Sequence, residues 1–152
     1  MKKKYLAIEG KQGRTIIARL KPGQEIVAGI TAILRDKKIT AGYLPVIAGG
    51  FKKLTLVSMK PGENKNLPVD IEKNYEEPLE YFGVGTIAEK EGGPSLHVHL
   101  TAARAENKSL TGHLISGEIV LLTEIVIIEV TGVKMIRKKD PEIFDLPLLD
   151  FE

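Results

Sequence analysis

Residues 119–131 of this 152-residue chain read IVLLTEIVIIEVT, the most apolar run in the sequence. Glu124 and Glu129 interrupt the run, which is much shorter than the roughly 20 residues that a membrane helix needs. Side chains alternate between the two faces of a strand, and here both alternating sets are apolar. The run therefore predicts a strand that is covered on both faces.

One helix is available to provide that cover. Its apolar residues recur at helical spacing, and they are Ile26, Val27, Ile30, Ile33 and Leu34. Glu25 at the start of this segment and basic residues at its end suit the helix dipole, so we predict a helix over about residues 24–38. A single helix cannot cover a whole sheet. A second layer or another subunit must cover the rest, and we expect the subunit because so short a chain has few other elements.

The other segments indicate strands joined by turns. We predict strands over residues 1–9, 14–20, 43–48 and 53–58, with Gly49-Gly50 separating the last two and a loop over residues 61–78. From residue 79 to residue 137 we predict an antiparallel meander that turns at 91–94, near 107, and around 117 and 132. Residues 143–151 indicate an extended strap. Residues 1–152 thus predict a single α/β domain of the α+β type, a mainly antiparallel sheet with one main helix packed on it.

Composition excludes several classes of protein. The sequence has no cysteine, so it excludes disulfides and thiolate metal sites, and a zinc site would need nitrogen and oxygen ligands. A net charge of +2 is too small to carry DNA affinity by electrostatics alone. Neither a signal peptide nor a membrane span is recognisable, and we expect a cytoplasmic protein.

Two further patterns are weaker. Residues 83–88 read GVGTIA, which matches the letters of a dinucleotide-binding turn, but the following residues 89–94 cannot form the helix that this turn requires. The basic clusters at residues 2–4, 37–38, 52–53 and 137–139 are more typical of solvated surface than of phosphate contacts. With 5% aromatic residues, stacking platforms for nucleic-acid bases are not indicated.

All three histidines of the chain fall within seventeen residues. If residues 96–103 form a strand, His97 and His99 lie on one face of it. A hairpin that turns near Asn107 would place His113 beside Thr101 and diagonal to His99, on the same face.

Three imidazoles on one face point to a metal site. Neutral imidazole is a good zinc ligand, and three protein ligands leave a fourth position for water or substrate. The alternative is three separate polar residues on a partly exposed sheet. Glu80, Glu118 and Glu124 are candidates for a fourth ligand or a general base, and the sequence does not choose among them.

Several motifs together resemble one family, the PPC domain, which is the plant and prokaryote conserved domain. They are Gly13-Arg14-Thr15, residues 19–25, Glu80-Tyr81-Phe82-Gly83-Val84-Gly85-Thr86-Ile87, Gly93-Pro94-Ser95-Leu96-His97-Val98-His99 and Gly112-His113-Leu114, with Arg137, Asp140 and Leu149 near the end. Thr111 stands where the family often has glycine.

The resemblance implies an α/β domain, related in fold to acetolactate decarboxylase, that assembles as a homotrimer and holds a metal at His97, His99 and His113. Plant relatives pair the domain with AT-hooks and act in transcription. This chain has no hook, so the resemblance implies a stand-alone, DNA-associated regulatory module with a three-histidine zinc site. A zinc-dependent lyase or hydrolase acting on a small carbonyl or carboxylate metabolite is the alternative, and an ion that only ties subunits together is a third.

Overall fold

Two long strands run through most of the sheet. The computed structural model describes residues 5–63 and 68–152. In chain order its elements are β1 (Lys11–Leu20), α1 (Ile26–Lys37), β2 (Gly42–Pro61), β3 (Pro68–Tyr75), β4 (Leu79–Lys90), β5 (Gly93–Ala103), β6 (Ser109–Thr131), β7 (Met135–Asp140) and β8 (Leu146–Phe151), with short 3₁₀ turns at Ala105–Asn107 and Pro141–Ile143. The long strands are β2 and β6. Strands β1, β3, β4 and β5 each pair with at least one of them, β7 pairs with β4, and β8 pairs with β7.

The sheet closes on itself. Strand β2 pairs with β6, β6 with β5, β5 with β4, and β4 again with β2, all antiparallel. Strand β3 extends this ring beside β2, β1 lies beside β6, and β7 joins β4 in parallel before pairing with β8. The predicted mainly antiparallel sheet with one helix is confirmed, and the ring gives the sheet an inner and an outer face.

Helix α1 closes the inner face. The side chain of Glu25 caps the helix by accepting hydrogen bonds from the N–H groups of Val27 and Ala28, at 3.1 and 2.6 Å. Its apolar residues Ile26, Ile30 and Leu34 have no exposed surface. The helix therefore begins at Ile26, two residues later than predicted, because Glu25 stands at the cap and not within the first turn.

The inner face of the ring forms the main core. The rings of Phe51 on β2 and Tyr81 on β4 stack at 3.9 Å between centroids, with an interplanar angle of 6°. The Tyr81 hydroxyl meets Thr123 Oγ1 at 2.5 Å, so both buried hydroxyls are satisfied. On β6, Ile125 and Ile127 are fully buried against this core.

The alternate side chains of the same part of β6 are not fully covered within the chain. Val126 and Ile128 are half-buried, and Leu122 is exposed. The apolar pattern predicted that both faces of this strand would be covered. The chain itself covers the inner face of β6 and only part of the outer face.

Strands β2 and β6 continue through two glycines at which the sequence predicted that a strand would end. These glycines permit close packing and do not form turns. Strand β2 continues through Gly49, where a side chain would collide with the backbone of Leu122. Strand β6 continues through Gly117, where a Cβ atom would lie 2.5 Å from the ring of Phe51. At both positions the missing side chain permits close packing between neighbours, and the predictions of a separation at Gly49-Gly50 and a turn at Gly117 were wrong.

Other boundaries also differ from the sequence predictions. Residues 6–10 form no strand, and residues 1–4 of that prediction lie outside the described part. The predicted loop contains β3. Its residues do not alternate clearly between polar and apolar, but every one of them pairs with a residue of β2 in an antiparallel ladder. The meander ends at β6, since β7 joins β4 in parallel, and the predicted strap contains β8. None of the helices in residues 5–63 and 68–152 is long and apolar enough to cross a membrane.

Candidate metal centre

Strand β5 separates the histidines from the core. Val98 and Leu100 are each 2% exposed and face inward, whereas His97 and His99 are exposed on the outer face. This arrangement follows from the two-residue period of a strand and agrees with the prediction that the two imidazoles share a face.

The hairpin between β5 and β6 brings the third histidine to the same place. His113 pairs directly with His99, and Thr111 pairs with Thr101. The predicted register, with His113 beside Thr101, was therefore wrong by two residues. A shift of two residues leaves every side chain on its predicted face, so the cluster still forms.

The turn accounts for that shift. The N–H of Arg104 donates to the carbonyl of Lys108 at 2.7 Å, and Glu106 at the centre of the connection has a φ of 62°. The hairpin is thus centred on Glu106, one residue before the predicted centre at Asn107. When the centre of a hairpin moves by one residue, the residue that pairs with a given position changes by two.

The three imidazoles are close enough to hold one ion. The ring centroids lie 5.0–5.3 Å apart, and the candidate ligand nitrogens all lie within 4.8 Å of one another. The Nε2 atoms of His97 and His99 are 3.1 Å apart. Nitrogens bound to a tetrahedral zinc ion at about 2.0–2.1 Å lie about 3.3–3.4 Å apart, so small side-chain rotations suffice to bind it.

The candidate carboxylates stand elsewhere. Within residues 5–63 and 68–152, the cluster that could hold a metal consists of the three histidines alone and includes none of Glu80, Glu118 and Glu124. Glu118 forms an ion pair with Lys52 at 2.5 Å instead. A site built by this chain therefore has three nitrogen ligands and a remaining open side.

The environment of His97 and His113 favours the neutral imidazole by lowering the pKa of both side chains. Burial, then the charge of Arg137, then the other two histidines, lower the pKa of His97 to about 4. Burial, and then the charge of His99, also lower the pKa of His113. The charge of Asp70 raises this pKa, and the charge of Arg137 lowers it. Neutral imidazole is the form that binds a metal, so His97 and His113 need not lose a proton at neutral pH.

The family model for the plants and prokaryotes conserved domain, abbreviated PCC or PPC, matches residues 7–131. The chain belongs to this family. The match contains the whole ring of strands, helix α1 and all three histidines, and it confirms the resemblance seen in the motifs. No curated protein sequence matches the chain.

Solved structures share the fold of this PCC domain. The metal-containing protein of Archaeoglobus fulgidus is 24% identical, with a TM-score of 0.82, over 95% of this chain and 98% of its own. A PPC protein of Pyrococcus horikoshii is 23% identical, with a TM-score of 0.81, over 96% and 97%. A protein of Bacteroides thetaiotaomicron named as a "putative dna binding protein" is 24% identical, with a TM-score of 0.75, over 94% and 96%.

Polar residues that the sequence did not nominate surround the histidines of the PCC domain. The hydroxyls of Thr101 and Thr111 meet at 3.1 Å beside the His99–His113 pair. On the other side, Thr86 pairs with His97, and its hydroxyl accepts a hydrogen bond from Arg137 at 2.6 Å. Arg137 is one of the residues that carry the family resemblance, but the sequence does not show that it lies beside Thr86, because that position depends on the parallel pairing of β7 with β4.

The rest of the outer face is apolar. Ile17 on β1 is 81% exposed and lies in one row with Val126 and Val46. On β4, Phe82 is 67% exposed, and Val84 is 56% exposed and pairs with His99. We call Ile17, Val46, Phe82, Val84 and Leu122, together with half-buried Val126, the outer apolar face; it borders the histidine cluster at the Val84–His99 pair.

Proposed function

We propose that this PCC-domain protein is a self-assembling binding module that holds one zinc ion through His97, His99 and His113. The observation that carries the proposal is the convergence of all three histidines of the chain on one exposed face of the sheet. A rigid sheet surrounds the site, so the ligands are held ready for the ion.

Zinc is the ion that suits this donor set best. Three imidazoles without thiolate or carboxylate match a zinc site that retains an open position. Zinc in such a site acts as a Lewis acid and lowers the pKa of a bound water. The chain itself contributes the three nitrogens and their fixed spacing.

Elemental analysis and zinc titration of the purified protein test the metal site. We expect about one zinc per chain in the wild type and a loss of at least tenfold in zinc affinity in His99→Ala, because two ligands hold zinc far less tightly than three. Thr101→Ala is the matched control on the same strand and face, and it should bind zinc like the wild type. Equal zinc affinity in His99→Ala and the wild type would contradict the proposed site.

Self-assembly is the second part of the proposal, and a homotrimer is the form that the family resemblance implies. The outer apolar face supports it, because large apolar side chains exposed on one face of a protein mark an interaction surface. We expect light scattering to give three times the 16.7 kDa of the chain.

A charge placed within the outer apolar face should break the assembly. Phe82→Asp should shift the mass toward one chain, while Phe144→Asp, at a similarly exposed phenylalanine in the tail, should leave it unchanged. A wild-type monomer would contradict the proposal. Chelation followed by the same measurement separates an ion that ties subunits together, which predicts dissociation, from one that serves only a ligand.

DNA association is the regulatory role that the resemblance implies, and the names of some structural relatives support it. The charge distribution favours only weak binding. The net charge is only +2, and Lys52, Lys53 and Arg104 already pair with carboxylates, which reduces the counterion release that these three cations could supply. We expect binding to random duplex DNA only at low salt, with a steep loss as salt rises. No binding at about 50 mM salt would remove DNA as a partner.

A zinc-dependent lyase or hydrolase is the second candidate function, and the open side of the histidine cluster favours it. In this case His99→Ala should lose zinc and turnover of a small carbonyl or carboxylate compound together. Turnover that persists without metal would contradict this mechanism.

A further inference from the structure

Arg137 differs from every other arginine in the chain. Of the five arginines, four are exposed and Arg137 alone is half-buried. Arg14 and Arg104 pair with carboxylates, but among the described residues no carboxylate oxygen lies within 4.0 Å of the Arg137 guanidinium. A half-buried cation without a counterion costs free energy, and such a position calls for an anion.

The position of Arg137 ties it to the histidine cluster. Its guanidinium donates to Thr86 Oγ1 at 2.6 Å, and Thr86 pairs across the β4–β5 ladder with His97. The charge of Arg137 is felt at both His97 and His113. The neighbouring Lys138 and Lys139 are exposed, so Arg137 is the basic residue of that cluster that turns toward the site.

The guanidinium retains donors for a ligand. It has five N–H groups in a planar fork, and one of them is engaged by Thr86. A planar fork matches the paired oxygens of a carboxylate or a phosphate. The anchoring by Thr86 fixes the orientation of the fork, which reduces the entropy lost when an anion binds.

We propose that Arg137 is the anion-recognition residue of the metal site, so that the site takes a small ligand whose oxyanion is held by Arg137 while another of its oxygens faces the open side of the histidine cluster. The inference rests on the proposed zinc site. Three neutral imidazoles, a divalent ion and a guanidinium together carry a formal charge of three. Among the described residues, Asp70 is the one acid whose charge raises the pKa of His113, and it is not part of the three-histidine cluster.

In an Arg137→Gln variant, anion affinity should fall while metal affinity does not. Removal of a nearby positive charge should leave metal affinity unchanged or increase it, since like charges repel. The same substitution should weaken anion binding roughly ten- to hundredfold, because a charge-assisted pair is lost. A merely structural role for Arg137 would weaken both.

The test uses the full chain loaded with cobalt(II), whose visible spectrum reports coordination, in place of zinc. Lactate and inorganic phosphate are titrated separately into wild type, Arg137→Gln, Arg137→Lys and the exposed-arginine control Arg19→Gln, and calorimetry gives the affinities. We expect Arg137→Gln to lose affinity for the preferred anion, Arg137→Lys to retain part of it, and Arg19→Gln to match the wild type. Tighter binding of lactate assigns a carboxylate ligand, and tighter binding of phosphate assigns a phosphate ligand.

The outcomes separate the inference from the metal site on which it rests. A wild type that takes up no cobalt overturns both. Normal cobalt uptake with neither anion bound, or with equal anion affinity in wild type and Arg137→Gln, overturns the inference alone and leaves the zinc site standing.

Discussion

The two faces of strand β5 lie a few ångströms apart and have opposite properties. Val98, Leu100 and Ala102 face inward and are at most 2% exposed, whereas His97 and His99 face outward and are exposed. The inner side chains pack within the chain, in the core that α1 closes. The outer set lies in a surface of histidines and exposed apolar side chains.

This difference separates what maintains the fold from what performs the function. Substitutions on the inner face should change stability, and substitutions on the outer face should change binding or assembly. The predictions below test that division, starting from the largest expected effect.

Leu100→Ala should destabilise the fold by about 2–5 kcal/mol, because it leaves a cavity in a fully packed interior. Urea denaturation followed by circular dichroism measures the change. Thr101→Ala, one residue away on the outer face, should stay within about 0.5 kcal/mol. Similar losses in both variants would contradict the division between the faces.

Zinc should stabilise the wild type by about 2.7 kcal/mol at a free concentration one hundred times its dissociation constant, because the ion binds the folded chain. His113→Ala should show no such gain, while its stability without zinc should remain close to that of the wild type. Thermal unfolding with and without zinc measures both. A large loss of stability in zinc-free His113→Ala would mean that the outer face also maintains the fold.

The two hydroxyl pairs on opposite faces offer a matched comparison. Tyr81→Phe removes the buried hydrogen bond to Thr123 and should cost about 1–3 kcal/mol, since it leaves a buried hydroxyl without a partner. Thr111→Val removes the Thr101–Thr111 contact on the outer face, where water replaces it, and should cost much less. Denaturation midpoints of the two variants decide this, and equal costs would contradict it.

The Arg14–Glu129 pair should give the smallest effect, because Arg14 is largely solvated and solvent screens the pair. Hydrogen bonds from Arg14 lower the pKa of Glu129 to about 2. A lowered pKa in the folded state contributes stability above the unfolded pKa, near 4.3, and that contribution is lost as pH falls toward 2. The stability difference between wild type and Glu129→Gln should therefore be present at pH 6 and shrink steadily between pH 4 and pH 2.

Patterns with a short period were predictable from the sequence. The spacing of Ile26, Ile30 and Leu34 predicted the helix, and the spacing of His97 and His99 predicted their common face. Glycines were misread because the sequence does not distinguish a turn from a close contact. Gly49 and Gly117 lie inside strands, opposite Leu122 and Phe51, which are distant in the chain.

The sequence by itself determined which side chains share a face, because alternation along a strand is a local property of the backbone. It also determined the family, through motifs spread over most of the chain. Only the tertiary structure decided that His113 stands opposite His99, since that register depends on a turn centred on Glu106. It also decided that Arg137 reaches Thr86, because the pairing of β7 with β4 joins segments about fifty residues apart, and a local pattern carries no record of such a contact.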